Sequence, residues 1–197
     1  YHTYGPDFVT HDLGHYLGSE FRGEYLDRYV SRDPKPRMPL YHLIGALDPL
    51  EAADVSSPVG DGLPETLPEW IGFNGLTHLK IKLNGDDQNW DVERILRVDR
   101  ICEEVQGKRG VSQWHYSLDF NERCPSAESL VTLLIRVQDK APRGFERIAY
   151  VEQPTNRDLE RDRGNVMHEA AKLRPVVIDE SLLDLKSLQL AREMGYT

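Results

Sequence analysis

The stretch Tyr116-Ser117-Leu118-Asp119-Phe120-Asn121-Glu122 decides the predicted fold, because it is an apolar run that ends in polar acceptor side chains. Two later stretches, Ile148 to Pro154 and Pro175 to Ser181, have the same form, with a carboxylate at the carboxyl end of the run. Side chains in a strand alternate between two faces, so each strand can point one carboxylate to a shared centre while its apolar neighbours pack outward. The predicted cluster consists of Asp119, Glu152 and Asp179.

A metal ion would stabilise this cluster. Three converging carboxylates repel one another unless a cation lies between them. Hard oxygen donors in that number suit Mg²⁺ better than Zn²⁺, which prefers nitrogen and sulfur ligands. We therefore predict a magnesium ion bound by Asp119, Glu152 and Asp179.

The composition limits the class of protein. The chain has 197 residues, 39% hydrophobic and 29% charged, which is typical of one globular domain with a sizeable core. A formal net charge of -9 disfavours a nucleic-acid partner. No stretch reaches the roughly 18 apolar residues of a membrane helix, so no membrane partner is predicted. Two cysteines, Cys102 and Cys124, without metal-ligand spacing favour a reducing compartment, and we predict a cytoplasmic protein.

The first part of the chain differs from the rest. Residues 1–38 are rich in Tyr, His, Gly and charged residues, and the prolines from Asp33 to Pro39 are typical of a linker. The sequence starts without methionine and ends inside a predicted helix, so we expect it to be part of a longer protein.

From residue 39 onward, predicted strands and helices alternate five times. Two strands, Leu40 to Leu47 and Thr77 to Leu83, precede the three described above. The predicted helices cover Pro68 to Asn74, Asp91 to Val105 with a stop at Gly107, Ser126 to Val137, residues 157–173 with a break at Gly164, and the chain from about Leu185. This alternation predicts a parallel sheet with successive strands side by side. Site residues at successive strand ends favour an eight-stranded β/α barrel over a doubly wound sheet, which binds ligands only at its switch point.

The second strand carries two lysines. Lys80 and Lys82 share one face of the strand, whereas Leu79, Ile81 and Leu83 occupy the other. We expect the lysines to face the interior beside the carboxylates. The alternative is a solvent-facing edge strand protected by lysine.

Four motifs together resemble a known family. They are Lys80-Ile81-Lys82, Asp119-Phe120-Asn121, Glu152-Gln153-Pro154 and Asp179-Glu180-Ser181. Their order and spacing resemble the second to fifth barrel strands of the enolase superfamily, specifically the mandelate racemase and muconate lactonizing enzyme group. The resemblance covers roughly residues 37–197 and implies a partial (β/α)8 barrel with about five β/α units. It also implies that residues 1–38 are a remnant of the capping domain and its linker.

The resemblance implies a role for each motif residue. Asp119, Glu152 and Asp179 would bind Mg²⁺, Lys82 would be the acid/base with Lys80 beside it, and Asn121 and Glu180 would be supporting polar groups. Such a protein abstracts the proton α to a carboxylate to give a metal-stabilised enediolate, which leads to dehydration, cycloisomerisation or epimerisation. The implied partner is a small carboxylic acid, and the full-length protein is expected to be a homo-oligomer. Lys82 must be neutral to accept a proton, and the nearby ammonium of Lys80 favours that form.

The sequence also departs from the family. Strands six to eight, and the second acid/base that they carry, are absent, as is most of the capping domain. The Lys-x-Lys motif followed by Asp-Glu-Ser is closer to the muconate lactonizing branch. The alternative function is a non-catalytic truncated barrel or an assembly piece, because five strands cannot close an eight-stranded barrel and the fifth would leave an unpaired edge.

Overall fold

The structure is a computed structural model that describes residues 4–31 and 33–197. The chain divides into two compact units, Tyr1–Met38 and Pro39–Thr197. Within the described ranges, no helix combines the length and the apolar character needed to cross a membrane. The assignment of the first unit to a capping domain stays a prediction.

Among the described residues of the first unit there is one short α-helix, α1 (Leu13–Leu17). Two 3-10 turns follow it, Ser19–Phe21 and Leu26–Arg28. Asp12 caps α1, because its carboxylate accepts hydrogen bonds from the backbone N of His15 at 3.0 Å and of Gly23 at 2.6 Å. One carboxylate thereby joins the start of the helix to the turn that follows it.

The second unit is built on a parallel sheet of five strands in the order β1-β2-β3-β4-β5. The strands are β1 (His42–Ile44), β2 (His78–Lys82), β3 (His115–Asp119), β4 (Ile148–Glu152) and β5 (Val176–Val177). Every neighbouring pair is parallel, which confirms the predicted sheet with successive strands side by side. The last strand is shorter than predicted, because only two of its residues pair with β4.

Six α-helices belong to this unit. They are α2 (Leu67–Asn74), α3 (Gln88–Arg109), α4 (Ala127–Lys140), α5 (Pro142–Glu146), α6 (His168–Leu173) and α7 (Leu185–Glu193). The predicted cap of α4 is confirmed, because the Ser126 hydroxyl accepts a hydrogen bond from the backbone N of Ser129 at 3.2 Å. The sequence did not predict α5, which begins at a proline directly after α4.

The predicted stop of α3 at Gly107 is wrong. The helix continues to Arg109 and ends at Gly110, whose φ of 68° is the left-handed conformation that glycine favours. The last turn is anchored from outside the helix, because Gln106 Nε2 donates to the carbonyl of Leu76 at 2.7 Å and Arg109 Nη1 donates to it at 3.2 Å. These two hydrogen bonds stabilise the turn that Gly107 would otherwise weaken.

The helix predicted over residues 157–173 is confirmed only in its last part, α6. Turns occupy residues 159–164. Asp158 N donates to the Asn156 side chain at 2.9 Å, and the Asp158 carboxylate accepts from Arg161 N at 3.1 Å. Short polar side chains therefore satisfy the backbone locally and compete with the helix.

The hydrophobic core lies between one face of the sheet and the helices. Strand residues on this face are fully buried, among them Leu79, Ile81, Leu118 and Val151. Helices α3 and α4 contribute the opposing apolar side chains, including Val92, Ile95, Val98, Leu130, Leu133, Leu134 and Val137. Alternation along each strand leaves the other face for the polar residues of the candidate site.

Candidate active site

The candidate site lies at the carboxyl ends of three adjacent strands. Lys82 of β2 pairs in register with Asp119 of β3, and Asp119 pairs with Glu152 of β4. The three residues therefore stand side by side across the sheet. Lys80 lies two positions before Lys82 and belongs to the same face, opposite the buried Leu79 and Ile81. The alternative of a solvent-facing edge strand is wrong, because β2 lies between β1 and β3.

Four of these side chains form one hydrogen-bonded cluster, here called the carboxyl-end network: Lys80, Lys82, Asp119 and Glu152. Lys80 Nζ lies 2.9 Å from Asp119 Oδ2 and 2.5 Å from Glu152 Oε1, so its ammonium bridges two carboxylates. Lys82 Nζ also contacts Asp119 Oδ2. Asp119 is almost completely buried, with 2% of its side chain exposed, whereas each lysine side chain is 23% exposed. The lysine side chains are therefore partly open to solvent at the strand ends.

The pKa values of the two carboxylates of this network are shifted in opposite directions. Burial alone would raise the pKa of Asp119, but hydrogen bonds from Lys82, Lys80 and the backbone N of Asn121 outweigh burial and hold that pKa below its usual value. Burial raises the pKa of Glu152, and the negative charges of Asp119 and Asp179 add to this effect against the hydrogen bond from Lys80. Burial is therefore the main reason that the charged form of Glu152 is disfavoured.

Lys80 is held in its charged form. Burial would lower the pKa of its ammonium, but the hydrogen bonds to Glu152 and Asp119 outweigh burial and raise that pKa above its usual value. Lys80 therefore acts here as a fixed positive charge between two carboxylates. The role of Lys80 beside Lys82 in catalysis stays a prediction.

The backbone is strained next to this network. Among the described residues other than glycine, positive φ values occur at Asn121 (46°), Glu122 (67°) and Gln153 (34°). Asn121 and Glu122 follow Asp119 closely, and Gln153 directly follows Glu152. Strained backbone of this kind concentrates at functional sites, where the surrounding structure holds it in place. The strain therefore supports the location of the candidate site by an argument that does not depend on its charges.

Asp179 follows β5 and is the third predicted ligand. Its side chain is exposed, and its charge is near enough to raise the pKa of Glu152. In the described ranges, no group of three or more His, Cys, Asp or Glu side chains is arranged to hold a metal ion. The expectation that three carboxylates converge on one point is therefore not met, because Asp119 and Glu152 turn toward the lysines.

The donor set still fits Mg²⁺ by its chemistry. All three side chains supply hard oxygens, which is the ligand type that Mg²⁺ prefers, and they belong to β3, β4 and the loop after β5. Burial is the main cause of the raised pKa of Glu152, and the negative charges of Asp119 and Asp179 add to it, which is a repulsion that a bound cation would relieve.

The two predicted supporting residues lie beside each other. Asn121 Nδ2 is 3.5 Å from Glu180 Oε1, which is the long limit of a hydrogen bond. The backbone N of Asn121 donates to Asp119 Oδ1 at 2.9 Å, so Asn121 orients Asp119 through its main chain. The second carboxylate oxygen of Glu180 is buried without a hydrogen-bond partner.

Sequence reasoning missed the residues that join the strand ends. Glu122 accepts hydrogen bonds from the Arg157 side chain, with Nε at 2.9 Å and 3.0 Å from its two oxygens, so it connects the loops after β3 and β4. Gln153 connects the ends of β4 and β5 through its side chain. A polar residue between a strand-end carboxylate and a proline, as in Glu152-Gln153-Pro154, was the available signal for the second connection.

A cavity of about 390 Å³ lies beside β1, apart from the candidate site, and no predicted site residue lines it. Its acidic side chains are already bonded within the loop, because Asp48 accepts from Gly45 N at 2.7 Å and Glu65 accepts from Val59 N at 2.6 Å. The His42 ring in its wall packs on Trp70. These contacts give the cavity no connection to the predicted site residues.

Comparisons with known proteins identify the fold. No protein-family model and no curated protein matches the sequence. Among solved structures, a mandelate racemase/muconate lactonizing enzyme from Roseiflexus sp. matches with a TM-score of 0.50 and 24% identity over 66% of this chain and 33% of its own. A mandelate racemase/muconate lactonizing protein from Herpetosiphon aurantiacus matches with a TM-score of 0.51 and 19% identity over 66% and 32%. A racemase from Streptomyces coelicolor A3(2), solved with bound magnesium, matches with a TM-score of 0.47 and 16% identity over 64% and 33%.

The matched region spans about a third of the length of each of these proteins. The predicted partial barrel is confirmed, because the chain has five parallel β/α strands and matches only about a third of the length of these solved proteins. The predicted resemblance is confirmed at the level of the fold. The chain therefore has the fold of part of the β/α barrel of these mandelate racemase/muconate lactonizing proteins.

Proposed function

We propose that this protein is an enolase-superfamily enzyme that removes the proton α to the carboxylate of a small organic acid. The observation that carries the proposal is the register of the strands, which aligns Lys82 with the carboxylates of Asp119 and Glu152 at adjacent strand ends. Barrel enzymes of this architecture place their chemistry at the carboxyl ends of the strands. The reaction outcome is a dehydration, a cycloisomerisation or an epimerisation.

Asp119, Glu152 and Asp179 are the proposed Mg²⁺ ligands. When bound, Mg²⁺ would neutralise the negative charge that develops on the substrate carboxylate. The oxygen donors of all three side chains support this assignment, as does the repulsion of Glu152 by the charges of Asp119 and Asp179. Asn121 supports Asp119 through its backbone hydrogen bond, and Glu180 lies next to Asn121 as a further polar group.

The two lysines have different proposed roles. Lys82 lies nearer the carboxyl end of β2, which is the end where barrel enzymes bind their substrates, so Lys82 is the residue proposed to accept the α-proton. Lys80 lies one pleat deeper and contacts both Asp119 and Glu152, so it holds these carboxylates in place. The proposed partners are a small carboxylic acid and, in the intact protein, further copies of the same chain.

Hydrogen exchange at the α-carbon tests this proposal. The intact protein is incubated with a panel of carboxylic acids and Mg²⁺ in deuterated water, and deuterium incorporation is followed by mass spectrometry. We expect incorporation into at least one acid, loss of incorporation on chelation and recovery with added Mg²⁺. Because each proposed ligand is required, Asp119→Ala, Glu152→Ala and Asp179→Ala should each abolish the exchange.

Glu103→Gln is the matched control, because Glu103 is an ion-paired carboxylate that contacts Arg147 at 3.1 Å and belongs to no strand end of the site. This variant should exchange the substrate at the unaltered rate. Normal turnover and Mg²⁺ affinity in any of the three alanine variants would refute the assignment of that residue. Absence of exchange with every acid would favour the non-catalytic alternative.

A further inference from the structure

Gln153 has an unusual position in the fold. It directly follows Glu152, is fully buried at 0% exposure, and has a φ of 34°. The next residue is Pro154, which disfavours this conformation further because it pushes the preceding residue toward extended geometry. The surrounding structure must therefore hold Gln153 in this conformation.

The side chain of Gln153 uses its full hydrogen-bonding capacity. Its Oε1 accepts from the backbone N of Asp179 at 2.9 Å and of Ser181 at 3.1 Å. Its Nε2 donates to the carbonyl of Thr155 at 3.0 Å and to the hydroxyl of Ser181 at 2.8 Å. Two acceptor and two donor contacts are the maximum for a primary amide. The amide is thereby locked between its own loop and the residues after β5.

The Gln153 side chain supplies a hydrogen bond beyond the point where backbone pairing of β4 and β5 ends. Backbone pairing between β4 and β5 finishes with the hydrogen bond from Gln153 N to the carbonyl of Val177 at 2.9 Å. Asp179 lies beyond that bond, and its backbone N bonds to the Gln153 side chain instead. The Gln153 carbonyl also accepts from Glu122 N at 2.9 Å, which connects it to the loop after β3. One residue therefore links the ends of three strands that carry the predicted ligands.

We propose that Gln153 is a positioning residue that fixes the backbone of Asp179 relative to Glu152, so that both carboxylates can bind one cation. This inference rests on the proposed function for the identity of the ligands, but the connection itself is defined by the hydrogen bonds. Residues that orient metal ligands typically change metal affinity by about 10- to 100-fold when they are altered.

A matched pair of variants tests the inference. Gln153→Met keeps the length of the side chain and removes all four hydrogen bonds. Gln106→Met makes the same change at another glutamine of 0% exposure, whose side chain bonds to Leu76 and lies outside the site. Mg²⁺ binding to the intact, metal-stripped protein is measured by titration calorimetry. We expect binding about 10- to 100-fold weaker in Gln153→Met and unchanged in Gln106→Met.

A second measurement needs no metal. Hydrogen exchange of the backbone amides of Asp179 and Ser181, measured in EDTA, should be roughly 2- to 10-fold faster in Gln153→Met, because those amides lose their acceptor. The Gln106→Met variant should leave both amides unchanged. If Gln153→Met does not fold, Ser181→Ala removes only one hydrogen bond of the set and should weaken Mg²⁺ binding by roughly 2- to 10-fold.

The possible outcomes distinguish a failure of the positioning role of Gln153 from a failure of the proposed function. Equal losses of stability in the two methionine variants, with unaltered Mg²⁺ affinity in both, would overturn the positioning role and leave Gln153 a purely structural residue. Unchanged exchange of the Asp179 and Ser181 amides would overturn the connection itself. Absence of saturable Mg²⁺ binding by the unaltered protein would overturn the proposed function, and with it the role of Gln153 toward a metal.

Discussion

The two ends of the parallel sheet carry two buried polar clusters that differ in their electrostatics. The carboxyl-end network was defined above. The other cluster, here called the amino-end network, consists of Asp99, Trp114, Tyr116 and Arg147. Tyr116 OH donates to Asp99 Oδ1 at 2.7 Å and accepts from Trp114 Nε1 at 2.7 Å. Arg147 Nη1 donates to Asp99 Oδ1 at 2.7 Å and its guanidinium lies 3.9 Å from the centre of the Trp114 ring.

The groups of the amino-end network are paired directly with one another. Arg147 forms ion pairs with Asp99 at 2.7 Å and with the neighbouring Glu103 at 3.1 Å. Burial raises the pKa of Tyr116, so this phenol stays neutral and donates a hydrogen bond to Asp99. The carboxyl-end network instead faces a third carboxylate, Asp179, and the pKa values of its two carboxylates are shifted in opposite directions. Fully paired polar clusters stabilise a fold, whereas carboxylates with shifted pKa values beside strained backbone are typical of a functional site.

The largest expected effect is a loss of α-proton exchange that differs between variants of the two lysines of the carboxyl-end network. Lys82→Ala should lower α-proton exchange by about 10²- to 10⁴-fold, as is usual for a general acid/base, while Mg²⁺ binding survives. Lys80→Ala removes the neighbouring ammonium, so the neutral form of Lys82 becomes available only at higher pH and the defect should shrink as pH rises. The measurement is the pH profile of exchange in both variants. Recovery of Lys82→Ala at high pH, together with a pH-independent defect in Lys80→Ala, would reverse the two roles.

The next effect concerns the amino-end network. Tyr116→Phe leaves the Trp114 N–H without its acceptor and removes one donor from Asp99, so the free energy of unfolding should fall by about 1–3 kcal/mol. Mg²⁺ affinity should not change, because no residue of this network belongs to the candidate site. Urea unfolding measures the free energy of unfolding, and titration calorimetry measures the Mg²⁺ affinity. A loss of Mg²⁺ affinity would contradict the separation of the two ends.

A smaller effect tests the stability of the carboxyl-end network without metal. Asp119→Asn removes the charged partner of both Lys80 and Lys82, so unfolding in EDTA should require roughly 1–2 kcal/mol less free energy. Glu152→Gln should change stability by less than about 0.5 kcal/mol, because burial already disfavours the charged form of Glu152. Urea titrations of both variants provide the comparison. Equal losses would indicate that Lys80 stabilises both carboxylates to the same extent.

The smallest effect depends on pH. Hydrogen bonds from Arg157 hold the pKa of Glu122 below its usual value against a weaker opposing effect of burial. A depressed carboxyl pKa contributes stability that is complete above the unfolded-state value of about 4.3 and is lost as pH falls through the folded-state value. The stability difference between the unaltered protein and Glu122→Gln should therefore narrow below about pH 4.3. A difference that stays constant from neutral to acidic pH in urea titrations would refute this role of Glu122.

The sequence by itself determined the elements and the order of the candidate site residues. Apolar runs that end in Asp119 and Glu152 predict buried strands with polar carboxyl ends, and period-two alternation in Lys80-Ile81-Lys82 places both lysines on one face. Helical spacing and the Ser126 cap predicted α4, and the last helix was predicted to start at about Leu185. Such signals depend only on neighbours along the chain.

The tertiary structure decided what depends on distant neighbours. Contacts with Leu76 extend α3 past Gly107, and turns formed by Asn156 and Asp158 replace the first part of a predicted helix. Asp119 and Glu152 form ion pairs with Lys80 instead of converging with Asp179, because opposite charges attract one another whereas carboxylates repel. The contact of Gln153 with Asp179 depends on the fold, which brings the backbone N of Asp179 to 2.9 Å from the side-chain oxygen of Gln153. Such contacts join residues far apart in the sequence, so local patterns carry no signal for them.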